Sequence, residues 1–148
     1  MTTPSLTIDV RGIPAPQGSK RGFVNNGRVS MVESSKKVKP WRQDVKHAAL
    51  DVLGDAPPLD GPVLVDVWFR LTRPKSHYGT GGNSRVLKIL APRYPAGKPD
   101  IDKLLRSTLD ALGEAGVWRD DAQVVAVTMR KTYGDVAGAR IHVRELLA

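Results

Sequence analysis

Asp100, Asp102, Asp110, Glu114, Asp120 and Asp121 place six acidic residues within twenty-two positions. If the stretch after Pro99 is helical, Asp102, Arg106 and Asp110 stand at i, i+4 and i+8 on one face, two acids with a cation between them. Asp100 then falls at or just before the helix start, where a carboxylate caps free N–H groups. A loop that folds back after the helix brings Asp120 or Asp121 to the same end, so that three or four carboxylates share one space. Such a group repels itself unless a cation joins it. Hard oxygen ligands, with no Cys and no evident His partner, favour Mg²⁺, with Mn²⁺ as a substitute, over Zn²⁺. Two such ions would activate water and stabilise the leaving oxygen in phosphodiester hydrolysis. Arg106 would hold the scissile phosphate or neutralise its charge. The same residues also fit a plain helix cap and a surface Asp–Arg pair worth about 0.3–0.5 kcal/mol.

The elements that must position these groups can be read from the apolar pattern. Ile101, Leu104, Leu105, Thr108, Leu109 and Leu112 step along one helical face, with Pro99 before it and Gly113 and Gly116 after it. An earlier amphipathic helix runs from Trp41 to about Leu53, with Pro40 near its first turn and Gly54 as its stop. Leu6–Val10 alternates as a strand, and 23–24 and 29–32 flank a turn as a short hairpin. Val63–Leu71, β-branched and aromatic throughout, predicts a central strand. Strands over 123–132 and 139–146 predict a closing hairpin across Gly134–Gly138. Between Thr72 and Pro99 lies a long polar segment, interrupted by a short element at 86–90; loops of this length in a compact domain are usually functional or disordered. Strands and helices mix without βαβ alternation, which predicts an α+β fold: one domain over 1–148, a mixed sheet with two main helices.

With 148 residues, 41% apolar and 26% charged, the chain has the composition of a soluble globular domain, and no apolar stretch approaches the roughly 20 residues of a membrane span. The start lacks the pattern of an export signal, which predicts a cytoplasmic protein. Zero cysteines exclude disulfides, thiolate metal sites and cysteine nucleophiles. The net charge of +8 favours a polyanionic partner. Its layout is uneven. Arg11–Arg42 holds eight basic residues and one acid, and Val67–Pro99 holds seven basic residues and no acid. Basic segments that hold nucleic acid beside a compact carboxylate group would be arranged in this way. Gly79–Ser84 is glycine-rich but lacks the Gly-Lys-Ser/Thr ending of a phosphate loop, and reads as a flexible substrate-facing loop. His47, His77 and His142 form no metal motif, and Trp68 and Trp118 read as core residues. A stacking role on DNA for an exposed Trp or for Tyr78 is the alternative.

Lys98-Pro99-Asp100-Ile101-Asp102, then Leu109-Asp110-Ala111-Leu112, then Val117-Trp118-Arg119-Asp120-Asp121-Ala122-Gln123-Val124-Val125 closely resembles the signature of the RusA family of Holliday junction resolvases. Pro16-Gln17-Gly18-Ser19-Lys20-Arg21 and Trp41 are similar to positions in phage and prophage members. The resemblance implies metal-binding catalytic roles for Asp100, Asp102 and Asp121, with Asp120 and Asp110 as adjacent acids of lower rank. Where the family pattern usually has Asn and Lys, this chain has Lys103 and Arg106, so the basic role passes to Arg106 or to Lys103, or else both simply contact phosphate. The implied activity is Mg²⁺-dependent resolution of four-way DNA junctions by paired nicks. A homodimer would match the junction's approximate two-fold symmetry, and neither an organic cofactor nor a membrane is expected. Lys20, Arg21, Lys36, Lys37, Arg73, Lys75, Lys98 and Lys103 would hold the phosphate backbone. The competing expectations are a junction- or single-strand-binding accessory protein that does not cut, and a nuclease for branched DNA in general.

Overall fold

A computed structural model describes the backbone of residues 4–18, 20–25, 28–33 and 36–147, with the side chains of all these residues except 20–25 and 28–33. Its main sheet has the order β1-β6-β4-β5, formed by β1 (Ser5–Arg11), β4 (Val63–Leu71), β5 (Val124–Tyr133) and β6 (Gly138–Glu145). β2 (Lys20–Asn25) and β3 (Arg28–Glu33) make a separate antiparallel pair, as the turn composition between them predicts. The arrangement is α+β, with a mixed sheet: β4 runs parallel to β5 and antiparallel to β6.

The closing hairpin is corrected by this topology. β5 and β6 do not pair, because β4 lies between them. After β5 the chain turns over the end of β4, where Gly134 N–H donates to the Leu71 carbonyl at 2.9 Å. It then enters the sheet on the other side. β6 suits this interior place because Ala139, Ile141 and Val143 are buried on one face while β1 and β4 satisfy its two edges. Gly138 permits the close approach to β1, since a Cβ there would stand 2.1 Å from the Val10 carbonyl oxygen.

One face of the sheet carries α1 (Val38–Leu53) and α2 (Ile101–Ala115). Ile8, Val10, Val63, Val65, Val67, Phe69 and Ile141 project from the sheet into a core completed by Trp41, Leu104, Leu112 and Trp118. α1 starts a turn earlier than its apolar stripe, so Pro40 lies within its first turn, where a missing N–H costs nothing. α2 stops at Gly116, whose φ of +88° is the left-handed cap conformation that glycine adopts freely. The two helices are joined by a buried hydrogen bond from Trp41 Nε1 to Thr108 Oγ1 at 3.2 Å.

Trp118 is buried as expected, whereas Trp68 is not in this core. Its strand is central, but position 68 has the parity of the opposite, helix-free face. There the guanidinium groups of Arg130 and Arg70 lie over its ring, at 4.5 Å and 5.9 Å from the centroid, and its Nε1 donates to Thr132. In place of a regular element at 86–90 there is a bridge between Tyr78 and Leu87, followed by a turn. Gly81–Asn83 forms one turn of 3₁₀ helix.

Candidate active site

α2 places the first two acids of the signature at its N-terminal end. Asp100 is the cap residue, but its side chain makes no capping hydrogen bond and instead lies 3.4 Å from Lys103 Nζ. Asp102, in the first turn, and Arg106, one turn on, are exposed and have no hydrogen-bond or ion-pair partner among the described residues. The Asp102–Arg106 surface pair therefore does not form. Both groups face solvent on the side of α2 opposite the core, ready for a ligand of opposite charge.

Lys131 holds this end of α2 in place. Its side chain comes from the helix-bearing face of β5, in register with buried Phe69, and its Nζ donates to the carbonyls of Gly97 at 2.7 Å and Pro99 at 2.9 Å. The chain is thus fastened immediately before Asp100. The loop after β1 is fastened from the other side: Ser107 Oγ donates to the Ala15 carbonyl at 2.7 Å, and Gln17 N–H to the Lys103 carbonyl at 3.1 Å. Asp110 accepts from Gln17 Nε2 at 2.8 Å, so this acid anchors a loop. Between these two fastened segments opens a cavity of about 860 Å³. Among the described residues, Asp100 is its single acid, and Lys37, Arg73, Lys98 and Lys103 provide four cations around an apolar lining that includes Pro16, Pro99 and Tyr133.

Asp121 lies elsewhere, and the fold-back expected of its loop is corrected. Its Oδ1 accepts from Trp118 Nε1 at 2.9 Å and rests against Gly113. Gly113 is eleven residues beyond Asp102, about 16 Å along the helix axis. Trp118 is buried beside the end of α2, and the turn that follows is locked by Asp120, whose Oδ1 accepts from Ala122 N–H at 2.8 Å. Gln123 Oε1 closes that capping box on the Asp120 N–H at 2.8 Å. Asp120 is accordingly a capping residue. Among the described residues no three His, Asp or Glu side chains converge to hold a metal ion. The Asp100–Asp102 pair offers hard oxygen ligands to a divalent cation at one end of α2, and Asp121 offers a third at the other.

Of the remaining cations, Lys36 and Lys75 are exposed, while the side chains of Lys20 and Arg21 fall outside the described residues. Composition did not single out Lys131 or the arginines of the helix-free face, Arg130, Arg140 and Arg144; strand parity at these positions was the available signal.

A family model described as "Endodeoxyribonuclease RusA" matches residues 12–144. The chain belongs to the RusA endodeoxyribonuclease family. The acids that carry the resemblance fall at the N-cap of α2, within α2 and in the turn that follows it. The Bacillus subtilis (strain 168) protein YqaN, itself uncharacterized, is 33% identical over 146 residues, 97% of this chain and 98% of its own length. This RusA-family chain contains no helix, among the described residues, that is long and apolar enough to cross a membrane.

Proposed function

We propose that this RusA-family nuclease resolves four-way DNA junctions by paired nicks, as a homodimer that requires Mg²⁺ or Mn²⁺. The observation that carries the reading is that Asp102 and Arg106, on the solvent face of α2, have no partner among the described residues and stand beside a cavity rimmed by Lys37, Arg73, Lys98 and Lys103. Lys37, Arg73, Lys98 and Lys103 would take backbone phosphates. Arg106, held by no carboxylate among the described residues, would take the scissile phosphate in a bidentate grip. A bound divalent cation would supply a nucleophilic water and neutralise charge on the leaving oxygen.

The distance between Asp102 and Asp121 motivates the dimer. Two copies packed with antiparallel α2 helices about a two-fold axis would bring Asp121 of the partner subunit to Asp100 and Asp102, and would do so at both ends. Half-buried Leu105 and Leu109 on α2 and exposed Met129 on β5 offer apolar surface for that contact. Two equivalent sites then face the two strands that resolution must cut.

The test uses a labelled four-way junction and a matched linear duplex with Mg²⁺, Mn²⁺ or EDTA, and the wild-type and Asp102→Asn proteins. Paired nicks confined to the junction, dependent on metal and on Asp102, are expected, with junction binding retained in Asp102→Asn. Tight binding with no cuts in any metal would make the protein an accessory factor, and equal cutting of flaps would make it a general branched-DNA nuclease.

A further inference from the structure

The segment between β4 and α2 ends in an unusual turn. Ala91 N–H donates to the Lys88 carbonyl at 3.1 Å, which puts Ile89 and Leu90 at the two corner positions. Such corners normally hold Gly, Pro, Asn or Asp. Here two large aliphatic side chains are 100% and 94% exposed. The turn is braced from below: Tyr78 bridges Leu87, Gly79 N–H donates to the Val86 carbonyl at 3.0 Å, and Lys88 N–H to the His77 carbonyl at 2.9 Å. At its base, Arg73 lies 4.3 Å over the Tyr133 ring and donates to the Pro92 carbonyl at 2.6 Å. A short arm thus holds an apolar tip out into solvent.

The surroundings of the tip indicate what it meets. Arg85, Lys88 and Arg93 flank it, all exposed, and no acid occurs anywhere from Val67 to Pro99. An apolar protein partner has no use for such uncompensated charge, whereas nucleic acid presents phosphates to the cations and stacked base faces to the aliphatic pair. Ile and Leu are among the side chains that proteins insert between base steps. The arm also lies near the candidate active site. Pro95, which lines the cavity beside Asp100, is five residues from Leu90, at most about 18 Å of extended chain.

We propose that Ile89 and Leu90 form a wedge that enters the branch point of the DNA and parts its stacked base pairs while Arg85, Lys88 and Arg93 hold the adjoining phosphates. The proposal rests on the nuclease reading above and assigns the selectivity for branched over linear DNA to this turn. Unstacking costs least where pairing is already interrupted, so the wedge enters a branch point more readily than an intact duplex.

Junctions carrying 2-aminopurine at the branch point, or ten base pairs away, report unstacking as increased fluorescence when protein is added in EDTA, where no cutting occurs. The wild-type protein is expected to raise the signal at the branch point alone. The Ile89→Ser/Leu90→Ser double variant should lose that rise, and its preference for junction over duplex should fall at least about tenfold. Its dependence on salt should match wild type, because no cation is removed. The Arg85→Ala/Lys88→Ala/Arg93→Ala variant should flatten the salt dependence by up to about 2.7 in log–log slope. Both aliphatic residues are exposed, so thermal melting confirms that the double variant is folded. A double variant that keeps the branch-point signal and the preference overturns the wedge, as does one that alters the oligomeric state, which would mean that the tip is covered by a second copy. If the wild type unstacks the junction but never nicks it with metal, the nuclease reading fails and the wedge stands. If the wild type nicks and the double variant nicks with unchanged preference, the wedge fails and the nuclease reading stands.

Discussion

Asp121 Oδ1 lies 2.8 Å from the point where a Cβ on Gly113 would stand, so the last turn of α2 is bare where the carboxylate rests. The other fixed point is Trp118, whose indole N–H donates to the same oxygen. A glycine inside a helix gives up roughly 0.5–1 kcal/mol relative to alanine. At this position the space it leaves is occupied by a carboxylate of the family signature.

Gly113→Ala should therefore separate stability from activity. Higher helix propensity offsets the crowding, leaving unfolding free energy within about 1 kcal/mol of wild type. The displaced carboxylate should lower junction nicking at least about tenfold, a barrier increase of about 1.4 kcal/mol. Urea titration and a nicking assay on the same preparation check the pair of outcomes, and full activity would mean that Asp121 need not stay where it is.

Trp118→Phe keeps an aromatic ring in the buried site and removes the N–H that orients Asp121. The Mg²⁺ concentration for half-maximal nicking should rise about 10–100-fold, the usual cost of losing a partner behind a metal ligand. A Mg²⁺ titration reads this directly. An unchanged midpoint would remove Asp121 from the metal site.

Mixing two inactive proteins tests whether the sites are shared between chains. Asp102→Asn and Asp121→Asn should each fail alone. Random re-pairing makes half the dimers mixed, each with one intact site of two, so about a quarter of the wild-type nicking should return, as isolated nicks rather than paired ones. No recovery after verified subunit exchange would show that each site belongs to a single chain.

Lys103 and Arg106 should also behave differently. Lys103 is engaged with Asp100 in an exposed pair, a contact usually worth at most about 1 kcal/mol, so Lys103→Gln should change turnover less than about fivefold. Arg106→Gln, which removes a guanidinium without a partner among the described residues, should lower turnover by about 10²-fold or more, comparable to the loss of a transition-state donor. Single-turnover nicking of the two variants decides which residue carries the basic role.

Thr108→Val should act on stability alone. Its hydroxyl accepts from the Trp41 indole and donates to the Leu104 carbonyl at 2.8 Å in the fully buried contact between α1 and α2. Stranding the indole N–H should cost about 1–3 kcal/mol by urea denaturation. Adding Trp41→Phe should produce less than the sum of the two single losses.

Local patterns read well where one force decides the outcome. β4 is apolar and β-branched along its whole length, and Val63–Leu71 is the strand observed. Pro99 and Gly116 bracket α2 through their backbone chemistry, independent of tertiary context. Pairing was harder to read, because a four-residue gap between two strands looks like a hairpin whether or not a third strand intervenes. The position of Asp121 was illegible for a similar reason: the signature names the residue, but the Trp118 indole and the Asp120–Gln123 capping box decide which end of α2 it occupies. Lys131 looked like any strand lysine, since its role follows only from the register that sets it beside Phe69.

The parallel pairing of β4 with β5 carries a consequence for how the enzyme comes into being. All of the proposed metal-binding acids lie on the crossover between these strands, and the lysine that fastens the crossover ahead of Asp100 is on the later one. Parallel neighbours need a long connection, and such distant pairings form late in folding. A nascent copy shorter than about 131 residues lacks Lys131 and, with it, the two hydrogen bonds that hold the chain ahead of Asp100. The acids of the proposed cutting centre are therefore fastened from this side only after synthesis has passed β5.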